Sequence, residues 1–357
     1  MRVETLNKFG LTYQQTKALF MMQYDLTHSD ILHEKNIEKQ KTKQVWLNKW
    51  KDSINTFLSR LEGAEEKPNI STSYMLKKNP LLDRELDALR QEAGANKLPL
   101  YLMLLEATLF EPYFPLEVGH NKEVLLDRLK DKMRRTKADK KIIKGKLYHF
   151  ANMLSINESD IDSFIKSYDK AVDGLTGKKM KIAGGVIIGT VILVITAGYG
   201  APAIAAKFAP AGLYGAAAVS SGMAALGGGA IATGGLGIPG GMAVIVGGGA
   251  LVGAGVGATA GAGANAIMKA SGKFALTEAA KLEVVMKEIL LTKQKDVRFV
   301  QELIREQRMA ISNLEDELLK MKLERKDQKE EIKNLEEAIS YLKKALIRSQ
   351  NLIEGTH

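Results

Sequence analysis

The chain has 357 residues, carries 51 Lys/Arg against 41 Asp/Glu, and contains no cysteine. A disulfide framework, a zinc–thiolate site and a cysteine nucleophile are therefore excluded. The basic balance suits phosphate-bearing partners, of which anionic lipid is the economical one beside an apolar segment.

Charge is partitioned along the chain. Residues 1–181 hold 32 Lys/Arg and 25 Asp/Glu, residues 182–268 hold Lys207 alone, and residues 269–357 hold 18 against 16. Glycine is partitioned too, with 24 of 33 inside 182–268. Met1 to Phe20 has scattered charges and no apolar core of signal-peptide length. The expected class is all-α, in three parts: a helical domain over 1–177, a Gly/Ala-rich membrane-inserting segment over 178–273, and a coiled coil over 274–357.

In chain order, Gln44–Leu61 sets Val45, Trp46, Trp50, Ile54, Phe57, Leu58 and Leu61 at helical spacing, ending at Glu62-Gly63. Pro68, Ser71 and Ser73 mark a loop. Leu81–Arg90 places Leu82, Leu86 and Leu89 on one face, and Leu98–Phe110 is apolar almost throughout. After Pro112 and Pro115, three short helices are predicted at Lys122–Arg135, Lys140–Leu154 and Ser159–Val172, the last capped by Ser159 with Asp162 three residues on.

Arg128–Lys146 holds ten basic residues against Asp131 and Asp139. Arg134, Arg135, Lys140 and Lys141 are its candidate contacts to anionic headgroups; a solvated face of two bundle helices is the other reading. Nucleic-acid binding is not expected, since only Tyr148 and Phe150 follow and both read as core. The run Tyr148–Ile156, followed by Ser159-Asp160-Ile161-Asp162, resembles a repeat of the tellurite-resistance TerB-like helical domains over about 120–172. The resemblance implies helix, short turn and helix. The acidic cluster of those domains is not evident, so their metal binding does not carry over.

Ile182–Ala201 is twenty residues without a charge, about 30 Å of helix and so about one hydrocarbon core. Lys178, Lys179 and Lys181 stand at its front edge and Tyr199 near its end, where an aromatic meets the interface. Ala211–Gly235 is mostly Ala and Gly and only weakly apolar. Gly240–Met268 is a better candidate, bounded by Lys269 and Lys273. With lysines on the cytosolic side at both ends, the number of spans is even and two are preferred, with both termini cytoplasmic.

Gly185 and Gly189, and the four-residue series Gly249, Gly253, Gly257 and Gly261, are candidate close-packing positions between helices in lipid. So many glycines, each costing about 1 kcal/mol in a helix relative to Ala, suggest a segment sheltered until it inserts: cytoplasmic when latent, membrane-bound when active. The run Ser221–Gly237 resembles the core of the small interferon-inducible hydrophobic proteins (the 6-16 family), and similar Gly/Ala blocks occur in bacterial membrane-acting proteins. The likeness implies an association with membranes and cell death.

From Leu282 to Ile353 heptads take over. The a series includes Leu290, Val297, Ile304, Ile311, Leu318, Ile332, Ile339 and Leu346, broken at Arg325. Arg325 and Gln328 are either a register pin in an oligomer or a bend where the helix folds back. The seam's partner is a helix of this chain, a second copy or another protein; the pattern leaves that open.

Catalytic constellations are mostly absent. His28 and His33 share no helical face and no HExxH occurs; Gly174–Lys179 lacks the hydroxyl of a phosphate loop; no GxSxG is present. No enzyme, cofactor or metal is expected. The expected function is a membrane-inserting, pore-forming or membrane-disrupting effector of toxin or phage-defence type. The alternative is a constitutive membrane-anchored scaffold that recruits partners through its coiled coil.

Overall fold

The computed structural model describes residues 11–62, 80–113, 136–177, 272–324 and 329–354, all of it helix and connecting turn apart from one isolated bridge residue at Leu11. The all-α expectation holds. The Gly/Ala segment, with Gly185, Gly189, Gly249, Gly253, Gly257, Gly261 and Lys178, Lys179, Lys181, Lys207 and Lys269, lies outside the described residues, as do Arg134, Arg135 and the helix predicted at Lys122–Arg135. Among the described residues no helix is long and apolar enough to cross a membrane.

Helix α1 (Tyr13–His33) starts at a capping box: Thr12 accepts from the Gln15 amide and Gln15 returns a bond to the Thr12 amide. It is buried on nearly every side, through Leu19, Phe20, Met22 and Leu26 but also Thr16, Gln23, Asp25, Thr27, Ser29 and Asp30. Helix α2 (Ile37–Glu62) returns antiparallel to it, starting where Asn36 accepts from the Lys39 amide. Its Trp46 and Trp50 stack at 6.0 Å, with Phe20 edge-on to Trp50. Val45, grouped with the apolar stripe on spacing, is exposed.

Helix α3 (Pro80–Ala93) buries Leu82, Leu86 and Leu89 as predicted. Helix α4 (Leu98–Thr108) is buried along almost its whole length, and Glu106 is its lone charge. Helix α5 (Lys140–Met153) is capped by Asp139, which accepts from the Lys141 and Ile142 amides. Helix α6 (Ser159–Thr176) runs one turn past its predicted end and stops at Gly177 in the left-handed region, φ 68°. Its predicted cap is corrected. Glu158 is the cap residue and makes no side-chain cap bond; Ser159 is the first helical residue, held by Asn157 Oδ1 on its amide and hydroxyl.

Helix α7 (Gly272–Val284) passes directly into a π-helical stretch, Val285–Gln294. Lys295, at φ 56°, ends it, and Asp296 caps α8 (Val297–Glu324) by accepting from the Phe299 amide. The heptad run from Leu282, expected to break only at Arg325, is thus also broken at Lys295–Asp296, and Val297 at this break is exposed. Helix α9 (Lys329–Glu354) packs antiparallel on α8, as the Lys343–Glu315 and Lys322–Glu336 pairs fix.

Pairings between helices give the bundle a direction. Helix α5 runs antiparallel to α1, with the Asp139 amide on Asp30 and Lys146 on Asp25. Helix α6 runs antiparallel to α5, with Asp162 at Lys144 and Tyr148 and Asp169 within the field of Lys140. Helix α7 with its π extension runs antiparallel to α6: Tyr168 meets Thr277, Ser167 meets Glu288, and Asp160 meets Lys293. One end of the bundle therefore gathers the α1–α2 turn, the start of α5, the end of α6 and the start of α7. One hydrophobic core runs from α1 through α9.

Candidate functional site: the root of the glycine-rich segment

The described body stops at Gly177 and resumes at Gly272, so the α6–α7 pair is the root that flanks the nearly uncharged run 182–268. Helix α7 is buried from Leu276 through Met286 except at Thr277, and that run includes three charged residues, Glu278, Lys281 and Glu283. A helix enclosed on all sides must match each charge to a partner.

Lys281 Nζ lies 2.7 Å from Glu278 Oε1 and 3.0 Å from Glu106 Oε1 on α4, and all three side chains are almost wholly buried. Burial by itself would lower the Lys281 pKa; the two carboxylates reverse that and hold it above the ordinary lysine value. Tyr168 stands beside the same cluster. Burial, with the nearby Glu278, Glu106 and Glu111, holds its phenol far above the usual value despite a hydrogen bond with Thr277.

Glu283 takes both nitrogens of a bidentate Arg348 from α9, at 2.7 and 2.6 Å. Gly174 makes room for that guanidinium: a Cβ there would stand 2.1 Å from Arg348 Nη1. Lys344 donates to the Leu175 carbonyl at 3.0 Å, satisfying an open group of the last turn of α6. Helix α9 thus grips both strands of the root. Lower down, Ser167 donates to Glu288 and accepts from Lys287 at 3.1 Å, and Lys293 pairs with Asp160 at 2.5 Å.

A second buried node sits at the same end of the bundle. Asp30 accepts from Lys43 at 2.7 Å, from the Tyr113 hydroxyl at 2.5 Å and from the Asp139 amide at 2.6 Å, and Glu34 adds a second carboxylate to Lys43 at 3.0 Å. Tyr113 holds a left-handed backbone, φ 70°. Burial first, then its bond to the Asp30 carboxylate, push its phenol far up.

These groups make a prediction at alkaline pH. Folded pKa values raised above the unfolded ones mean stability that is present below the unfolded values and lost as pH rises beyond them. For Tyr113, Tyr168 and Lys281 that window opens at about pH 10. In a titration followed at the tyrosinate band, Tyr113 and Tyr168 should ionise only together with loss of the fold. Smooth ionisation of every tyrosine near pH 10 would show these phenols to be open to water.

Of the residues singled out on sequence, Lys140 and Lys141 are exposed at the start of α5. Leu290, Ile304, Ile311 and Ile339 are buried, while Leu318, Ile332 and Leu346 pack partly buried on the core. They pack within the chain, on α8, α9 and the core. Sequence reasoning missed the Lys281 cluster. The available signals were a single carboxylate inside the apolar α4 run and an acid and a lysine three apart in α7. Among the described residues no group of three or more His, Asp or Glu could hold a metal. No family model, curated protein or solved structure matches the chain.

Proposed function

We propose that the protein is a non-enzymatic, latent membrane-inserting effector, pore-forming or membrane-disrupting in the manner of a toxin or phage-defence protein. One observation carries the reading. A run with a single charge over 182–268 is spliced into an antiparallel helix pair, so that it departs and returns at one end of a helical body. An excursion rooted in this way crosses a bilayer an even number of times and leaves both flanking parts on one side, which agrees with lysines at both of its edges. The grip of α9 on α6 and α7 is the restraint the latent state needs. Anionic headgroups are the partner of the basic α5 start, where Lys140 and Lys141 stand.

Expression should dissipate the membrane potential, and purified protein should release dye from anionic liposomes. Stable, harmless residence in the membrane would overturn this in favour of an anchored scaffold. Extraction without detergent under all conditions would remove the membrane role.

A further inference from the structure

Resting on that reading, we infer that the root end of the bundle is a bilayer-docking face, with two apolar helix turns as wedges and a basic rim matched to anionic lipid. The four most exposed large hydrophobic side chains among the described residues are Leu323 at 69%, Ile37 at 67%, Leu32 at 63% and Leu319 at 60%. They are far apart in sequence, yet they fall at two helix turns only. Leu32 and Ile37 flank the α1–α2 turn, and Leu319 and Leu323 close α8 at its turn into α9.

Both turns lie towards the Gly177 end of the bundle. The Asp30–Asp139 contact sets the α1–α2 turn beside the start of α5, and the Lys144–Asp162 pair, with α5 and α6 antiparallel, sets that start towards the later part of α6. On the other side, Lys344 meets Leu175 in the last turn of α6, and Arg348, one turn on, meets Gly174 and Glu283. The part of α9 before Lys344 therefore extends past the root, by roughly 20 Å at 1.5 Å per residue, and the last turns of α8, paired to it through Lys322 and Glu336, go with it.

Charge commits the face to one partner. Lys35 and Lys39 are exposed around the first turn, and Lys140 and Lys141 beside it; Lys320 and Lys329 are exposed at the second. Exposed acids are fewer among the described residues there. Glu38, Glu324, Asp169 and the α5 cap Asp139 are exposed, and Glu34 is occupied by Lys43. Bulky apolar tips among lysines fit an interface of acyl chain and anionic headgroup, where apolar burial and charge attraction add.

The absence of cysteine makes the test clean. Single substitutions Leu32→Cys, Ile37→Cys, Leu319→Cys, Leu323→Cys and, as a control of similar exposure on the body side of the root, Ile347→Cys (58% exposed) each carry an environment-sensitive fluorophore on the full chain. Adding vesicles of phosphatidylcholine with phosphatidylserine should shift the first four to apolar emission and leave the fifth unchanged. Phosphatidylcholine alone should do so far less. Combining Leu32→Ser, Ile37→Ser, Leu319→Ser and Leu323→Ser should weaken vesicle flotation by about tenfold or more.

Carbonate extraction separates this inference from the insertion reading. Probe shifts with carbonate-releasable protein would keep the docking face and sink insertion. Carbonate-resistant protein with no shift at positions 32, 37, 319 and 323 would sink the docking face and keep insertion. Shifts that follow protein concentration without vesicles would overturn it in favour of contact between copies.

Discussion

Lys281→Met should cost about 3–5 kcal/mol of stability, because it leaves two buried carboxylates facing each other with no cation. The ammonium is fully enclosed, 2.7 Å from Glu278 and 3.0 Å from Glu106, so no water can take its place. Against a total of roughly 5–15 kcal/mol for a folded domain, that is a large share. The urea midpoint, followed by fluorescence of the buried Trp46 and Trp50, reads it. Replacing all three, with Glu106→Leu and Glu278→Leu added, should recover most of the loss, since a well-packed apolar triad does about as well as a buried ionic one. A loss below about 1 kcal/mol in Lys281→Met would mean the cluster is reached by water. The position gives the cluster a second interest: it fastens α7 to α4 within about three helical turns of Gly272, where α7 begins after the nearly uncharged run.

The second large effect is expected on membrane action. Val191→Arg with Leu193→Arg puts two guanidiniums at the middle of Ile182–Ala201, at about 2.5–3.5 kcal/mol each on insertion scales. Dye release and membrane depolarisation should fall to background while the helical circular dichroism of the body is kept. Val219→Arg, in the weakly apolar middle stretch, should cost much less if that stretch is not a span. Full activity in the double variant would dismiss Ile182–Ala201 as the inserting helix, and a strong effect at Val219 would call for an additional crossing.

The sequence alone determined the helical class. The spacing of Trp46, Trp50 and Ile54, and of Leu82, Leu86 and Leu89, states a 3.6-residue period that local residues suffice to express. It also determined the partition of charge, and with it the proposal of an inserting segment. It was silent on α1. Six buried polar residues, from Thr16 to Asp30, interrupt that helix's apolar pattern, and their partners, such as Tyr113 and the Asp139 amide, come from distant parts of the chain. It left the heptad seam open as well, because an a–d pattern is the same whether its partner is in cis or in another molecule. Only the tertiary structure decided that α8 folds back on α9 in the same chain. It alone joined Glu106 to Lys281, which are 175 residues apart. The reason is common to both cases. Periodicity records which face of an element is buried, whereas ion pairs and surfaces depend on which elements become neighbours, and that is settled by packing across the whole core.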